Sequence, residues 1–256
     1  MPAANEADYF QSIRVALSQP RFESFRTNPG EDDLQLLARH VWNQALGAAL
    51  YPTLQFLEVA LRNAVHAAIS GAYGQTWYDD PLVVVDLHYA QPRVLKAKQI
   101  VAARTGQNPP ATDRVIAELD FGFWTSLFNH TYIAGRSRPP AQKLLWPRLV
   151  PKVFTPTARA GRRVHDFTTR FNNVRKLRNA MSHHARIWLG RPPDTPNLAR
   201  TPLNQEHQDI IEAIGWINED LRETAVALDT FTDAYQNGFS RACTQIENYF
   251  HQVGYR

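Results

Sequence analysis

Apolar residues recur at three- and four-residue steps through most of the chain, and no segment sustains the period-two alternation of a strand. The run DDLQLLARHVWNQALGAAL (32–50) predicts a helix with Asp32 and Asp33 as N-terminal caps. The pattern restarts in YPTLQFLEVALRNAVHAAISGAYG (51–74), with Pro52 in a first turn and Gly71 or Gly74 at the end. PLVVVDL (81–87) is the best strand candidate, but it is isolated and reads better as a loop or edge segment. Helical spacing returns in 92–105 and 112–119, separated by the turn GQNPP. Two aromatic, proline-punctuated blocks (121–135 and 139–154) predict short, bent helices. A long helix is expected over about 157–187, then a proline-rich loop (190–202), then two final helices near 204–228 and 230–252. The expected fold is all-α, a single domain over residues 1–256.

The long helix carries NNVRKLRNAMSHHARIW (172–188), an unusual concentration of titratable groups. With Arg178 set at zero and ~100° per residue, Ser182 falls near ~40°, Asn179 near ~100° and His183 near ~140°. Phe167, Phe171, Val174, Leu177 and Met181 gather on a separate apolar face. An arginine beside a histidine suits phosphodiester chemistry: guanidinium is permanently charged and forks onto phosphate oxygens, and imidazole titrates near neutrality. Asn179 can orient the ring or hold a phosphate or sugar oxygen. His184, bordering the apolar face on this wheel, is expected to be a packed or hydrogen-bonded structural histidine. Clustered carboxylates of the kind that hold Mg²⁺ are not apparent, and an RNA 2′-hydroxyl can attack its own phosphate without a metal.

LRNAMSHHARIW resembles the Arg-Asn-x3-His signature of HEPN-superfamily ribonucleases, in the form carried by Abi-like (abortive infection) bacterial proteins. LYPTLQFLEVALRNAV, YGQTWY and ELDFGFWTSLFNHTY followed by LLWPRLVPKVF resemble that family's N-terminal and central blocks in the same order, so the likeness spans about residues 40–190. The resemblance implies an all-α HEPN-type bundle and a metal-independent endoribonuclease of a toxin or antiphage system, needing no cofactor. It maps the catalytic pair onto Arg178 and His183, with Asn179 as the intervening polar residue. It also implies an RNA substrate, two motifs paired across a homodimer and a neutralising antitoxin of protein or RNA. One departure is that Ala185 follows the paired histidines where many Abi-like proteins carry an acid. The alternative from another class is a non-catalytic RNA-binding or partner-binding module.

Charge sharpens the picture. Phe121 to Pro193 holds 14 Lys and Arg but a single acid, Asp166, so the rest of a chain with net charge +4 is acidic. Such segregation suggests a basic surface for a polyanion if folding gathers these side chains. Arg159, Arg162 and Arg163 are candidates for a phosphate track. A second polar stripe, Glu58, Arg62 and His66 beside Asn63, predicts a second cleft wall with Glu58 holding Arg62. Phe123, Trp124, Phe128, Tyr132 and Trp146 are expected in the core. The single cysteine, Cys243, forbids an internal disulfide, and neither a secretory signal nor a membrane span is recognisable, so a cytoplasmic location is expected.

Overall fold

The computed structural model describes residues 5–133, 143–193 and 199–254. The chain is all-α, and among the described residues β-pairing is limited to isolated bridges at Ile133–Trp146 and Arg191–Thr201. In order, the helices are α1 Glu6–Leu17, α2 Gln19–Glu23, α3 Asp33–Tyr73, α4 Ala90–Thr105, α5 Thr112–Glu118 and α6 Phe121–Ser126. They continue as α7 Val150–Val153, α8 Pro156–Arg159, α9 Val164–Ser182, α10 Leu203–Ile217, α11 Glu219–Ala227 and α12 Phe231–Val253. None of the described helices is long and apolar enough to cross a membrane.

Several boundaries correct the sequence reading. The two helices expected on either side of Pro52 are one helix, α3, with Pro52 inside it. Proline removes one donor and crowds the preceding turn, but Tyr51 and Pro52 are exposed, so water can take up the orphaned carbonyl. The motif helix is shorter than 157–187. Thr155 caps α8, accepting from the Ala158 N–H at 3.2 Å, and Gly161 at φ +73° turns the chain before α9 begins at Val164. The expected helix at 204–228 divides at Asn218, whose carboxamide oxygen accepts from the Leu221 N–H at 2.8 Å and so starts α11. The valines of PLVVVDL form no strand; Val83 and Val84 are buried in a turn-rich loop. The sequence reading missed α1, although Asn5 caps it and Glu6 and Asp8 occupy its first turn.

The contacts divide the chain into two compact units. The first comprises Met1–Pro52, Ala180–His207 and Leu228–Arg256. Its apolar cluster joins Phe10, Phe22, Leu36 and Phe250. Arg39 is held by Glu31 at 2.6 Å and lies over the Trp188 and Phe239 rings, and Trp42 donates its indole N–H to the Ala234 carbonyl at 2.8 Å. Gly238 is required there: a Cβ would sit 2.6 Å from the Trp42 ring.

The second unit comprises Thr53–Asn179 and Gln208–Ala227. Phe123, Trp124, Phe128, Tyr132 and Trp146 are all buried, as expected of core residues. Phe128 stacks on Trp146 at 4.4 Å and Phe154 on Phe167 at 4.0 Å, with Trp216 edge-on to Phe167. Aromatic pairs of this geometry add about 0.5–1.5 kcal/mol each beyond the area they bury. The packing stripe of α9 (Phe167, Phe171, Val174, Leu177) faces this core, which leaves the helix's other side for polar groups.

Candidate functional site

Arg178 and Asn179 lie on the polar side of α9 within the second unit. The Arg178 Nε donates to Glu58 Oε1 of α3 at 3.2 Å. Glu58 therefore partners the motif arginine and not, as the i,i+4 spacing suggested, Arg62. Arg62 turns to its neighbour, its Nε donating to Asn63 Oδ1 at 3.3 Å, while its charge still favours the ionised form of Glu58. Burial is the larger influence and pushes the Glu58 carboxyl up, with Arg178 opposing it and Asp120 adding to it. The Arg178 side chain is 43% exposed and Glu58 27%, so the pair is fixed yet reachable from solvent. Asn179 and Asn63 are exposed. His66 leaves the stripe: its Nδ1 accepts the Trp77 indole N–H at 3.1 Å, and burial holds its pKa below the usual value.

The histidines belong to the first unit, and neither is on the helix. The His184 N–H donates to the Met181 carbonyl at 2.9 Å and the Ala185 N–H to the Ala180 carbonyl at 2.8 Å. These two bonds, with His184 at φ +54°, define a Schellman stop in which His183 is the C-cap and His184 the left-handed residue. His184 is thus not packed at the edge of the apolar face; the turn swings it out and both imidazoles are exposed. Sequence reasoning missed this stop because the left-handed position usually holds Gly or Asn.

The turn is pinned on its far side. Arg21 donates to the His184 carbonyl, Asn43 Nδ2 to the Ala185 carbonyl at 3.1 Å, and Arg186 to the Ser24 carbonyl. No local periodicity announces these partners, which are more than 140 residues away along the chain.

The three upstream arginines precede α9, whose first residue, Val164, lies ~20 Å along the helix axis from Arg178 at ~1.5 Å per residue. Arg162 is tied to Glu212 at 2.6 Å and covers the Trp216 ring. Arg159 donates back to the Thr155 carbonyl at 3.4 Å, and the Arg163 backbone N–H meets Asp166 at 2.6 Å.

Folding also compensates much of the basic stretch. Lys143 pairs with Asp80, Arg170 with Asp209 and Glu212, and Arg191 with Glu206. Arg136 and Arg138 lie outside the described residues. Among the described residues no group of three or more His, Cys, Asp or Glu is arranged to hold a metal ion.

No family model, curated protein or solved structure matches the chain. The functional reading therefore rests on the residues and their geometry.

Proposed function

We propose that the chain is a metal-independent endoribonuclease of the HEPN type, acting as a toxin or abortive-infection effector. The observation that carries the reading is the pairing of Arg178 with half-buried Glu58 in a solvent-reachable position, five residues in sequence ahead of an exposed histidine at the helix stop. A carboxylate that fixes the guanidinium lowers the cost of presenting it to a phosphate.

In this reading a ribose 2′-hydroxyl loses its proton and attacks the adjacent phosphorus. The P–O5′ bond breaks, and the 5′-oxygen leaves with a proton. Arg178 stabilises the charge that builds on the non-bridging oxygens. His183 serves as general base or acid, and Asn179 positions these groups. The products are a 2′,3′-cyclic phosphate and a 5′-hydroxyl. One histidine cannot take and give a proton in the same step, so a second motif from another copy of the chain would complete the proton traffic. This favours a homodimer, with an antitoxin of protein or RNA restraining it.

Arg178→Ala and His183→Ala should each abolish cleavage while circular dichroism stays unchanged, EDTA should have no effect, and end-mapping should find cyclic phosphates. Cleavage that survives both substitutions rejects the assignment. Salt-dependent RNA affinity without cleavage at any protein concentration identifies a binding module instead.

A further inference from the structure

One turn before Arg178 the polar side of α9 continues through Asn172 and Arg175, which with Asn179 follow the i, i+3, i+7 spacing of a single stripe. Asn172 and Arg175 form one wall of a cavity of about 90 Å³. Asn129 and Tyr89 contribute further polar groups, and Thr125 and Ser126 of α6 lie behind them. All of these residues belong to the second unit.

Three features single this cavity out. First, Arg175 differs from the carboxylate-paired cations of the basic stretch, and unlike Arg159 and Arg186, which give a hydrogen to a backbone carbonyl, it lines a cavity. Lys143, Arg162, Arg170 and Arg178 each meet a carboxylate, whereas among the described residues Arg175 reaches only the Asn172 carboxamide oxygen, at 3.4 Å. A part-buried guanidinium without a counter-charge is left with a desolvation cost that a bound anion would relieve. Second, the hydroxyl protons of Thr125 and Ser126 are already given to the Gly122 and Phe123 carbonyls. The donors left to face a ligand are the Arg175 guanidinium, the Asn129 and Asn172 carboxamides and the Tyr89 hydroxyl. The nearby carboxylate, Asp120, is engaged by the Phe123 N–H at 2.7 Å and by Arg93 at 3.3 Å. Third, the space is kept open by Gly122, where a Cβ would stand 2.7 Å from the Tyr89 hydroxyl. The cavity opens to solvent on one side and has room for a few waters or one tetrahedral oxyanion.

We propose that this cavity is a phosphate subsite centred on Arg175, which takes a phosphate of the RNA backbone next to the one being cleaved at Arg178. The neighbouring-phosphate part of this proposal rests on the ribonuclease reading, while the oxyanion specificity does not. The subsite selects for a strand that extends beyond the scissile linkage, and it carries no base preference.

Two measurements test it on the full chain. In the first, inorganic phosphate is titrated against thermal unfolding. It should raise the melting temperature of the wild type, with the rise lost in Arg175→Gln and in Gly122→Ala but kept in Arg159→Ala at the end of α8. In the second, single-stranded RNA binding is measured in the His183→Ala background. Arg175→Gln should weaken it about tenfold across unrelated sequences and lower the salt slope by about one, with Arg175→Lys recovering part of the loss. Loss of the phosphate effect in a chain whose wild type neither binds nor cleaves RNA keeps the oxyanion site and discards the ribonuclease. No phosphate stabilisation of the wild type, or the same response in Arg175→Gln, overturns the subsite whatever the RNA result.

Discussion

His184→Gly is the substitution that separates the two adjacent histidines. In the Schellman stop His184 holds a left-handed backbone at φ +54°, which costs an L side chain about 1–2 kcal/mol. Glycine removes that cost, but its greater freedom in the unfolded chain returns about 0.5–1 kcal/mol. The imidazole is exposed and the polar contacts described at this residue use its backbone, so little packing is lost. The net expectation is a gain of up to about 1.5 kcal/mol, or up to about 6 °C in Tm for a chain of this size. His184→Val, β-branched at the same position, should lose about 1–2 kcal/mol. Thermal and urea melts read the stability arm. Cleavage assays read the other: His184→Gly should keep activity where His183→Ala loses it. A glycine variant that melts below the wild type, or one that is inactive while folded, refutes the division of labour between turn and chemistry.

Glu58→Gln should leave stability at neutral pH within about 1 kcal/mol, since its pair with Arg178 is half-exposed, but should lower cleavage about tenfold by releasing the guanidinium. A carboxyl raised by burial contributes stability that is present below its unfolded pKa and lost as pH rises through the folded one. The stability of the variant relative to wild type should therefore improve from pH 4 upward, and unchanged turnover would remove Glu58 from the site. Glu31 has the opposite sign: hydrogen bonds from Arg39 hold its carboxyl well below the usual range, and both side chains are 9% exposed. Glu31→Gln should cost about 3 kcal/mol at pH 7, with the gap closing as acid protonates the wild-type carboxylate; a neutral-pH loss under about 1 kcal/mol would show that the pair is not buried in effect.

Local rules carried the fold class well, because helical periodicity and the aromatic core are written in neighbouring residues. Phe167, Phe171, Val174 and Leu177 face inward where their spacing puts them. The failures are equally physical. Pro52 reads as a start signal, yet its missing donor costs little on an exposed side of α3. His184 stops α9 without the glycine that would have marked the stop. The charge run looks like a continuous basic face only while its acids are out of view, and Asp80, Glu206, Asp209 and Glu212 arrive from distant segments. For the candidate site, the motif named Arg178, Asn179 and His183. The partner of Arg178, the clamps from Arg21 and Asn43 and the cavity beside Arg175 depend on tertiary neighbours that no spacing rule reaches.

The turn bearing His183 belongs to a unit stitched from three separated stretches, the last of them Leu228–Arg256. While a ribosome is still extending this chain, the emerging polypeptide has its motif helix long before it has α12, whose backbone receives the Trp42 indole proton. The unit that sets the histidine turn is thus complete only after the rest of the domain is in place. A half-made copy, or one cut short ahead of α12, is left without that scaffold and should lack the cleavage proposed for the chain.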